Sequence, residues 1–267
     1  MNERSLLDEV LGPGGLSVVF QPILEARRAT WRLFALECLA RGPKGTNLEP
    51  AQILFEYVRR KRAESLVDRA CIRAALDAAV SLPVKTQLCL NIHASTLGRD
   101  SQFAKFLSET AQNYSVPLSD LTLEIVEHTP YWNGRSFLAT LDGLRASGVR
   151  IALDDFGIGL SNYSMVLDCR PDYIKIDRYL IKGCHRDIHR RMVIESIAQL
   201  AWKMGAGAIA EGVEDNADLE AVTRSGVYMV QGNAFSPPLA PSEVVANHQI
   251  RGEYSPLLLA GGKAASD

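Results

Sequence analysis

Short apolar runs recur along the 267-residue chain, and each of them ends in a polar side chain. Most of the runs are continuous rather than alternating, which is typical of parallel strands that are buried on both faces. The polar side chains that end the runs are Gln21, Glu37, Asn91, Glu124, Asp154, Lys175, Glu211 and Gln231. All are residue types that bind metal ions or phosphate groups. The pattern therefore predicts eight strands that carry chemistry at their ends.

The order of the runs predicts the fold class. From residue 87 onward, strand-like runs alternate with helical patterns, which indicates a parallel sheet with helices outside it. Residues 17–24 and 31–39 are joined by a link too short for a crossover helix, so we expect an antiparallel hairpin there. Helical spacing begins near Pro50. The length also fits, since ~250 residues is typical of such barrels. Together these features predict an α/β fold, a (β/α)8 TIM-like barrel with one antiparallel strand near the N-terminus.

A closed barrel would bring the polar strand ends together. The C-terminal ends of its strands converge on one face, which is where barrel enzymes place their active sites. Three glutamates, an aspartate, a lysine and three amides would then share one pocket. Gln21 is the exception, because its strand is reversed. We expect Gln21 to lie mid-strand and to reach the site from the barrel interior.

Composition and length bound the rest of the chain. We divide it into a lead-in of residues 1–16, a barrel of 17–248 and a tail of 249–267, with no second domain. A net charge of −2 argues against duplex nucleic acid as a partner. No run approaches the ~20 apolar residues of a membrane span, and the charged N-terminus does not fit a signal peptide. Five scattered cysteines without a C-x-x-C pair indicate reduced thiols, so we expect a cytoplasmic protein.

The strand ends offer an oxygen-only set of candidate metal ligands. Those on separate strands are Glu37, Asn91, Glu124 and Asp154. Carboxylate and amide oxygens suit Mg²⁺ or Mn²⁺ rather than Zn²⁺. Asp155 adds a carboxylate beside Asp154, so Asp154 could bridge two ions. Two ions ~3.5–4 Å apart would clamp the attacking and leaving oxygens of a phosphodiester. Lys175 would then hydrogen-bond the nucleophilic water and offset charge at phosphorus.

Simpler roles remain open for the basic residues. Lys175 could form a salt bridge with Asp172 or Asp177 at the barrel rim, and Arg41 could be a surface arginine. His185 and His189 have the i, i+4 spacing of helical metal ligands, but they lie in a highly charged run.

The basic stretch 59–62, Arg-Arg-Lys-Arg, raises the same question. For this stretch and for the histidine run we favour a solvated helix face over a binding site.

Seven ordered segments resemble the EAL family of cyclic di-GMP phosphodiesterases. They are FQPILEARRATWRLFALECLAR, LNIHAS, LEIVE, ALDDFGIGLSNY, DYIKID, AIAEGVED and VQGNAFSPPL. The first resembles the family's Gln-Pro-Ile strand followed by its signature Glu-Ala-Leu and a nearby arginine. The fourth resembles the family's Asp-Asp-Phe-Gly-Thr-Gly loop. The resemblance spans residues 17–240, and seven segments in order are far more specific than one motif.

The resemblance implies an activity and a set of roles. The activity is metal-dependent hydrolysis of cyclic di-GMP to linear 5′-pGpG, with two Mg²⁺ or Mn²⁺ ions per site. The implied metal ligands are Glu37, Asn91, Glu124, Asp154 and Asp155. The implied catalytic residues are Glu37, Lys175, Glu211 and Asp155, and the implied substrate contacts are Gln21, Leu39, Arg41 and Gln231. Glu127 would stabilise the loop after strand five, and Glu214 would contact a metal-ligating residue without binding the metal itself. Family members commonly dimerise, which leaves a homodimer open for this chain.

The chain departs from the family pattern at three places: the signature alanine, the loop after strand five, and Val126 and Asn233, which replace a threonine and an aromatic residue. Cys38 replaces the alanine of the signature, and cysteine is small enough for Glu37 to keep its position. In the loop after strand five, Ile158, Leu160 and Asn162 stand where the family usually has Thr, Tyr and Ser. The altered loop is the main support for a non-hydrolysing cyclic di-GMP receptor that acts through partner binding, although every ligand residue is present. A scaffold that binds no nucleotide is disfavoured, because clustered unpaired carboxylates would cost stability.

Overall fold

A computed structural model describes residues 5–27, 30–82, 86–126, 134–158, 163–246 and 253–254. Its strands are β1 Ser17–Arg27, β2 Thr30–Arg41, β3 Gln87–His93, β4 Leu121–Val126, β5 Arg150–Phe156, β6 Tyr173–Ile176, β7 Gly207–Ala210, β8 Met229–Gln231 and β9 Glu253–Tyr254. Its α-helices are α1 Leu6–Leu11, α2 Ala51–Lys61, α3 Glu64–Ala79, α4 Ala94–Arg99, α5 Phe103–Asn113, α6 Arg135–Ala146, α7 Tyr163–Cys169, α8 Arg178–Ile181, α9 Ile188–Lys203, α10 Asn216–Arg224 and α11 Pro241–Ala246. Short 3₁₀ helices span Leu118–Asp120 and Cys184–Arg186.

Strands β1 to β8 close into a barrel. Each strand from β2 to β7 runs parallel to the next one in the chain. Strand β1 is antiparallel to both of its neighbours, with Ser17 opposite Arg41 on β2 and Ile23 opposite Gln231 on β8. The ring therefore has no free edge between β1 and β8. This confirms the predicted TIM-like barrel with one reversed strand.

Segments outside the barrel strands also contact it. In the lead-in, Val10 of α1 is buried in one apolar cluster with Leu54 and Val58 of α2 and Val67 of α3. Strand β9 pairs antiparallel with Trp31 and Arg32 of β2, so part of the segment assigned to the tail joins the sheet. The division into lead-in, barrel and tail stays a prediction. No helix in the described ranges combines the length and apolarity needed to pass through a bilayer.

Alternation along the strands separates the packed core from the site. Residues such as Leu36, Leu123 and Ile174 face the helices and belong to one large buried cluster. A smaller cluster, formed by Ile23, Ala35, Cys89 and Ile209, with Tyr173 and Met229 packed on it, lies on the other face of the strands. Side chains two positions apart point to the same side of a strand. Six of the candidate site residues lie two positions from a residue of this smaller cluster and form the next layer: Gln21, Glu37, Asn91, Lys175, Glu211 and Gln231.

The cysteines take part in this packing. All five are free, four are buried and Cys71 is half-buried. The expectation that none of them forms a disulfide is confirmed.

Candidate active site

The Lys175 ammonium lies among four carboxylates. Its Nζ is 2.7 Å from Glu211 Oε1, 2.8 Å from Glu124 Oε2, 3.0 Å from Asp154 Oδ1 and 3.5 Å from Glu37 Oε2. The lysine side chain is only 1% exposed. Glu37, Glu124 and Asp154 lie in three different strands and Glu211 directly follows a fourth, and closure of the barrel brings all four carboxylates to one ammonium. The structure thus brings together the residues that the sequence predicts to converge.

The alternative of a rim salt bridge for Lys175 is wrong. The Asp172 carboxylate accepts a hydrogen bond from the backbone N–H of Ile151 at 2.8 Å. The Asp177 carboxylate accepts one from the N–H of Tyr179 at 2.5 Å and caps α8. Both aspartates therefore accept hydrogen bonds from backbone N–H groups, and neither is an ion-pair partner of Lys175 in the described structure.

Three amide side chains link the barrel mouth to Glu37. Asn91 Nδ2 donates to Glu37 Oε1 at 2.9 Å, and Gln231 Nε2 donates to Glu37 Oε2 at 2.6 Å. Gln231 Nε2 also donates to Gln21 Oε1 at 2.9 Å, and Gln21 Nε2 donates to the Ser236 carbonyl at 3.2 Å. Gln21 lies in the middle of the reversed strand, as expected. Both oxygens of Glu37 are thus held in place by donors on two other strands, β3 and β8.

A bulge at the end of β5 directs two adjacent carboxylates into the site. The pairing of β5 with β6 shifts register between Leu153 and Phe156. Asp155 adopts φ = 52°, a left-handed conformation that costs ~1–3 kcal/mol for a non-glycine residue. Carboxylate oxygens of Asp154, Asp155 and Glu211 lie within 4.8 Å of one another. Regular alternation would place Asp154 and Asp155 on opposite faces, so the bulge is what pairs them.

The site holds more negative charge than one lysine balances. Burial raises the pKa of Glu124 and of Glu211 well above the usual range, although Lys175 opposes the shift. Burial and then repulsion by the neighbouring aspartate raise the pKa of Asp155 to about 7. Burial also acts on Glu37, but Lys175 and two amide hydrogen bonds outweigh it and lower the pKa. The remaining carboxylates require protons or further cations near neutral pH.

The donor atoms fit a divalent cation. Glu124 Oε1 is buried and makes no hydrogen bond in the described part of the chain. Asp154 Oδ1 is close to Lys175 but lies outside hydrogen-bond geometry, so it also has lone pairs to offer. The surrounding donors are carboxylate and amide oxygens, the set that Mg²⁺ and Mn²⁺ prefer. The residues therefore suit such ions, while their individual roles stay predictions.

The predicted substrate contacts lie around this centre. Leu39 and Arg41 line a small cavity beside Asn91. The Arg41 guanidinium is half-buried and donates to the Ala40 carbonyl at 2.9 Å, which leaves most of its N–H groups for other partners. Gln21 and Gln231 line a polar cavity of about 560 Å³ on the other side of Glu37.

Of the two residues predicted to support the site, Glu127 and Glu214, the structure describes only Glu214. Glu214 lines the polar cavity and forms an ion pair with Lys182 at 3.3 Å, with both side chains largely exposed. Glu127, like Leu160 and Asn162 of the altered loop, lies outside the described residues.

The two histidines do not share a helix. His185 lies in the 3₁₀ helix Cys184–Arg186, and its Nδ1 is 2.7 Å from Asp218 Oδ1. The backbone N–H groups of Gly183 and His185 donate to the same aspartate. This network explains why His185 and Asp218 lie together. The expectation of a solvated face holds for His189 on α9 and is wrong for His185.

Sequence reasoning missed Arg59. Its side chain is half-buried and lines a cavity of about 250 Å³ together with Glu37, Asn91 and Asp154. The expectation of a solvated face is therefore wrong for the first residue of the 59–62 stretch. Helical spacing could have predicted this position, because Arg59 follows Phe55 by four residues and therefore lies on the same face of α2; both line this cavity.

Comparison with known proteins identifies the family. The EAL domain model matches residues 4–238. Cyclic di-GMP phosphodiesterase PdeB of Shewanella oneidensis is 29% identical over 231 residues, which cover 84% of this chain and 26% of PdeB. This chain spans about a quarter to a half of the length of PdeB and of two other curated relatives that it matches. The chain belongs to the EAL domain family.

Solved structures give the same result for the fold. A standalone EAL protein from Vibrio cholerae in its c-di-GMP-bound form superposes with a TM-score of 0.73 and 25% identity, covering 85% of this chain and 93% of that chain. The Klebsiella pneumoniae BlrP1 complex with manganese and cyclic di-GMP at pH 6 gives a TM-score of 0.76 and 25% identity, covering 86% of this chain and 57% of that chain.

Proposed function

We propose that this chain hydrolyses cyclic di-GMP to linear 5′-pGpG with two Mg²⁺ or Mn²⁺ ions. The observation that carries the proposal is the convergence of carboxylates around Lys175 at the C-terminal ends of the barrel strands. The name of the relative PdeB and the ligands of the two structural neighbours support the substrate class. The manganese in one of those neighbours supports the metal class.

The residues that would hold the ions are Glu37, Asn91, Glu124, Asp154 and Asp155. Asn91 uses its Nδ2 on Glu37, so its Oδ1 is the atom left to coordinate. When bound, the ions supply an activated water nucleophile and neutralise charge that develops on the phosphodiester oxygens.

The remaining groups orient and neutralise. The Lys175 ammonium carries three donors and lies among the carboxylates, so it can hydrogen-bond the attacking water and hold it in line with phosphorus. Its positive charge also favours the transition state, in which negative charge builds up on the phosphoryl oxygens. The Arg41 guanidinium has the planar fork that matches phosphate oxygens in pairs. Gln231, held by its two hydrogen bonds, presents its amide to the substrate side of Glu37.

The test is turnover of cyclic di-GMP by the purified chain in Mn²⁺, with pGpG measured by chromatography. We expect product from the parent and a loss of at least ~100-fold in kcat for Glu37→Gln, because the variant keeps the shape but removes a central charge. Glu220→Gln is the matched control, since Glu220 is exposed and pairs only with Arg224 in the described structure. Product formation by Glu37→Gln at the parent rate contradicts the proposal. Binding without product favours the receptor alternative.

A further inference from the structure

A cavity lies at the opposite end of the barrel strands from the carboxylates. Gly207 and Met229, which begin β7 and β8, form part of its wall, and the last turns of α9 and α10 border it. Strand β7 extends for ~13 Å between this cavity and Glu211. The cavity volume of about 460 Å³ lies within the ~300–1,000 Å³ range of small-molecule sites. The cavity is therefore separate from the candidate active site and large enough for a ligand of its own.

Two aromatic rings are exposed at this cavity. Trp202, in the last turn of α9, is 78% exposed, and Tyr228, directly before β8, is 56% exposed. Among the described residues, neither side chain has a hydrogen-bond or ring partner. Their main chain is nonetheless fixed, because the Trp202 carbonyl accepts the Gly205 N–H at 3.0 Å and the Tyr228 carbonyl accepts the Ala26 N–H at 2.8 Å. Rings on an anchored backbone lose little freedom when they bind a ligand.

The charged side chains at the cavity favour a cation. Glu25 and Glu195 both line it. Arg224 lines it as well, but its Nη2 is 2.5 Å from Glu220 Oε1, so its charge is already offset. Glu195 Oε1 accepts the Gln199 amide at 3.2 Å, which leaves the second oxygen of Glu195 for a ligand. The two lining carboxylates therefore give the cavity a net negative charge.

Helical spacing brings a carboxylate and an aromatic ring to the same wall. Glu195 precedes Trp202 by seven residues, about two helical turns, so both lie on one face of α9. Ala198, which lies between them and also lines the cavity, carries only a methyl group and leaves this space open.

A guanidinium ion fits this combination of groups. It stacks on aromatic ring faces through cation–π attraction, and it pairs with carboxylates in a bidentate manner. We propose that the cavity binds a small organic cation, a guanidinium on a short apolar stem, with its head at Glu195 and Trp202 and its stem along Met229. A concave cavity with alanine and glycine in its wall suits a small molecule more than a protein surface.

Binding of N-butylguanidinium to the chain in Mg²⁺, without cyclic di-GMP, tests the proposal. The chain has three tryptophans, and Trp202→Phe identifies which indole N–H signal in the NMR spectrum belongs to Trp202. We expect that signal to shift with a Kd of ~0.1–1 mM, the range that so small a ligand reaches. N-butylurea keeps the planar head and the stem but carries no charge, so it should bind ~10-fold more weakly or worse.

Calorimetry on variants measures the separate contacts. Trp202→Leu keeps an apolar side chain but removes the ring, so it should weaken binding by about 2- to 30-fold, and Trp202→Phe should lose less. Glu195→Gln should weaken binding by about 2- to 5-fold, the range of an exposed charge pair. Glu109→Gln is the matched control and should bind like the parent, because Glu109 is exposed on α5 and pairs with Lys105.

The outcomes are decisive in both directions. The proposal is overturned if the Trp202 indole signal does not move at ~20 mM ligand, well above the expected Kd, or if N-butylurea binds as tightly as N-butylguanidinium. A blocked Gly-Arg-Gly peptide that binds ~10-fold more tightly than N-butylguanidinium would also overturn it, and would assign the cavity to an arginine of a partner protein. No step uses cyclic di-GMP, so this test and the test of the proposed function can fail independently.

Discussion

Replacing Lys175 with methionine should destabilise the barrel strongly in the absence of divalent cations. The ammonium is 2.7–3.5 Å from four carboxylate oxygens. At an effective dielectric constant of ~20, two unit charges at such distances attract by about 5–6 kcal/mol. The cost of desolvating the ions offsets much of this. Removing one partner of a buried ionic group typically costs ~3–5 kcal/mol, and we expect a loss of that size for Lys175→Met.

The loss should depend on pH and on cations. Burial raises the pKa of Glu124 and of Glu211, so protons can replace the missing ammonium as the pH falls. The difference between parent and variant should therefore be largest at pH 8 and smaller at pH 5.5. Mn²⁺ should also reduce it, because the cation balances the same carboxylates.

Urea unfolding with chelator, at both pH values, measures this difference. Lys182→Met is the control, since Lys182 is exposed and forms a surface pair with Glu214 that should contribute less than ~1 kcal/mol. If Lys175→Met in chelator at pH 8 unfolds within ~0.5 kcal/mol of the parent, the argument that this ammonium neutralises the buried cluster is refuted.

Further substitutions and titrations test other parts of the structure. Binding of Mn²⁺ near pH 6.5 should release protons, because the pKa of Glu124 is raised and that of Asp155 is raised to about 7; a calorimetric enthalpy that does not vary with the buffer would contradict this. Burial raises the pKa of Asp68 from 3.8 to about 7, so its contribution to stability is fully present below pH ~4 and is lost as the pH rises through 7. In Asp68→Asn the melting temperature should therefore change less between pH 5 and pH 8 than in the parent. An unchanged pH dependence would count against this assignment. Gly232→Ala should cost ~1–3 kcal/mol or more, because the new Cβ would lie 2.1 Å from the Val213 carbonyl oxygen, and wild-type stability on urea unfolding would disprove that contact.

The barrel and its polar mouth follow from local sequence patterns. Continuous apolar runs such as LTLE and IALD specify buried parallel strands, and their C-terminal ends must meet once the barrel closes. The short link before Trp31 likewise predicts the reversed first strand, because no crossover helix fits there. The positions of Glu124 and Asp154 therefore follow from strand topology alone.

Other features depend on how helices settle on the barrel. The basic stretch that contains Arg59 predicts a solvated helix face, and only the packing of α2 on the barrel brings Arg59 to the cavity. His185 pairs with an aspartate thirty-three residues away, which no local pattern predicts. The left-handed conformation of Asp155 is similarly invisible, since aspartate carries no glycine-like signal. Each depends on tertiary contacts that override local propensity.

The bulge at the end of β5 limits how such a site can be built elsewhere. Adjacent side chains of a regular strand point to opposite faces of the sheet. If two consecutive aspartates were introduced on an ordinary barrel strand, one of them would therefore point towards the surrounding helices. Here the slipped register and the left-handed Asp155 overcome that divergence. The carboxylate pair is thus a property of the main-chain path, and a designer who transplants it must carry over the backbone irregularity along with the two side chains.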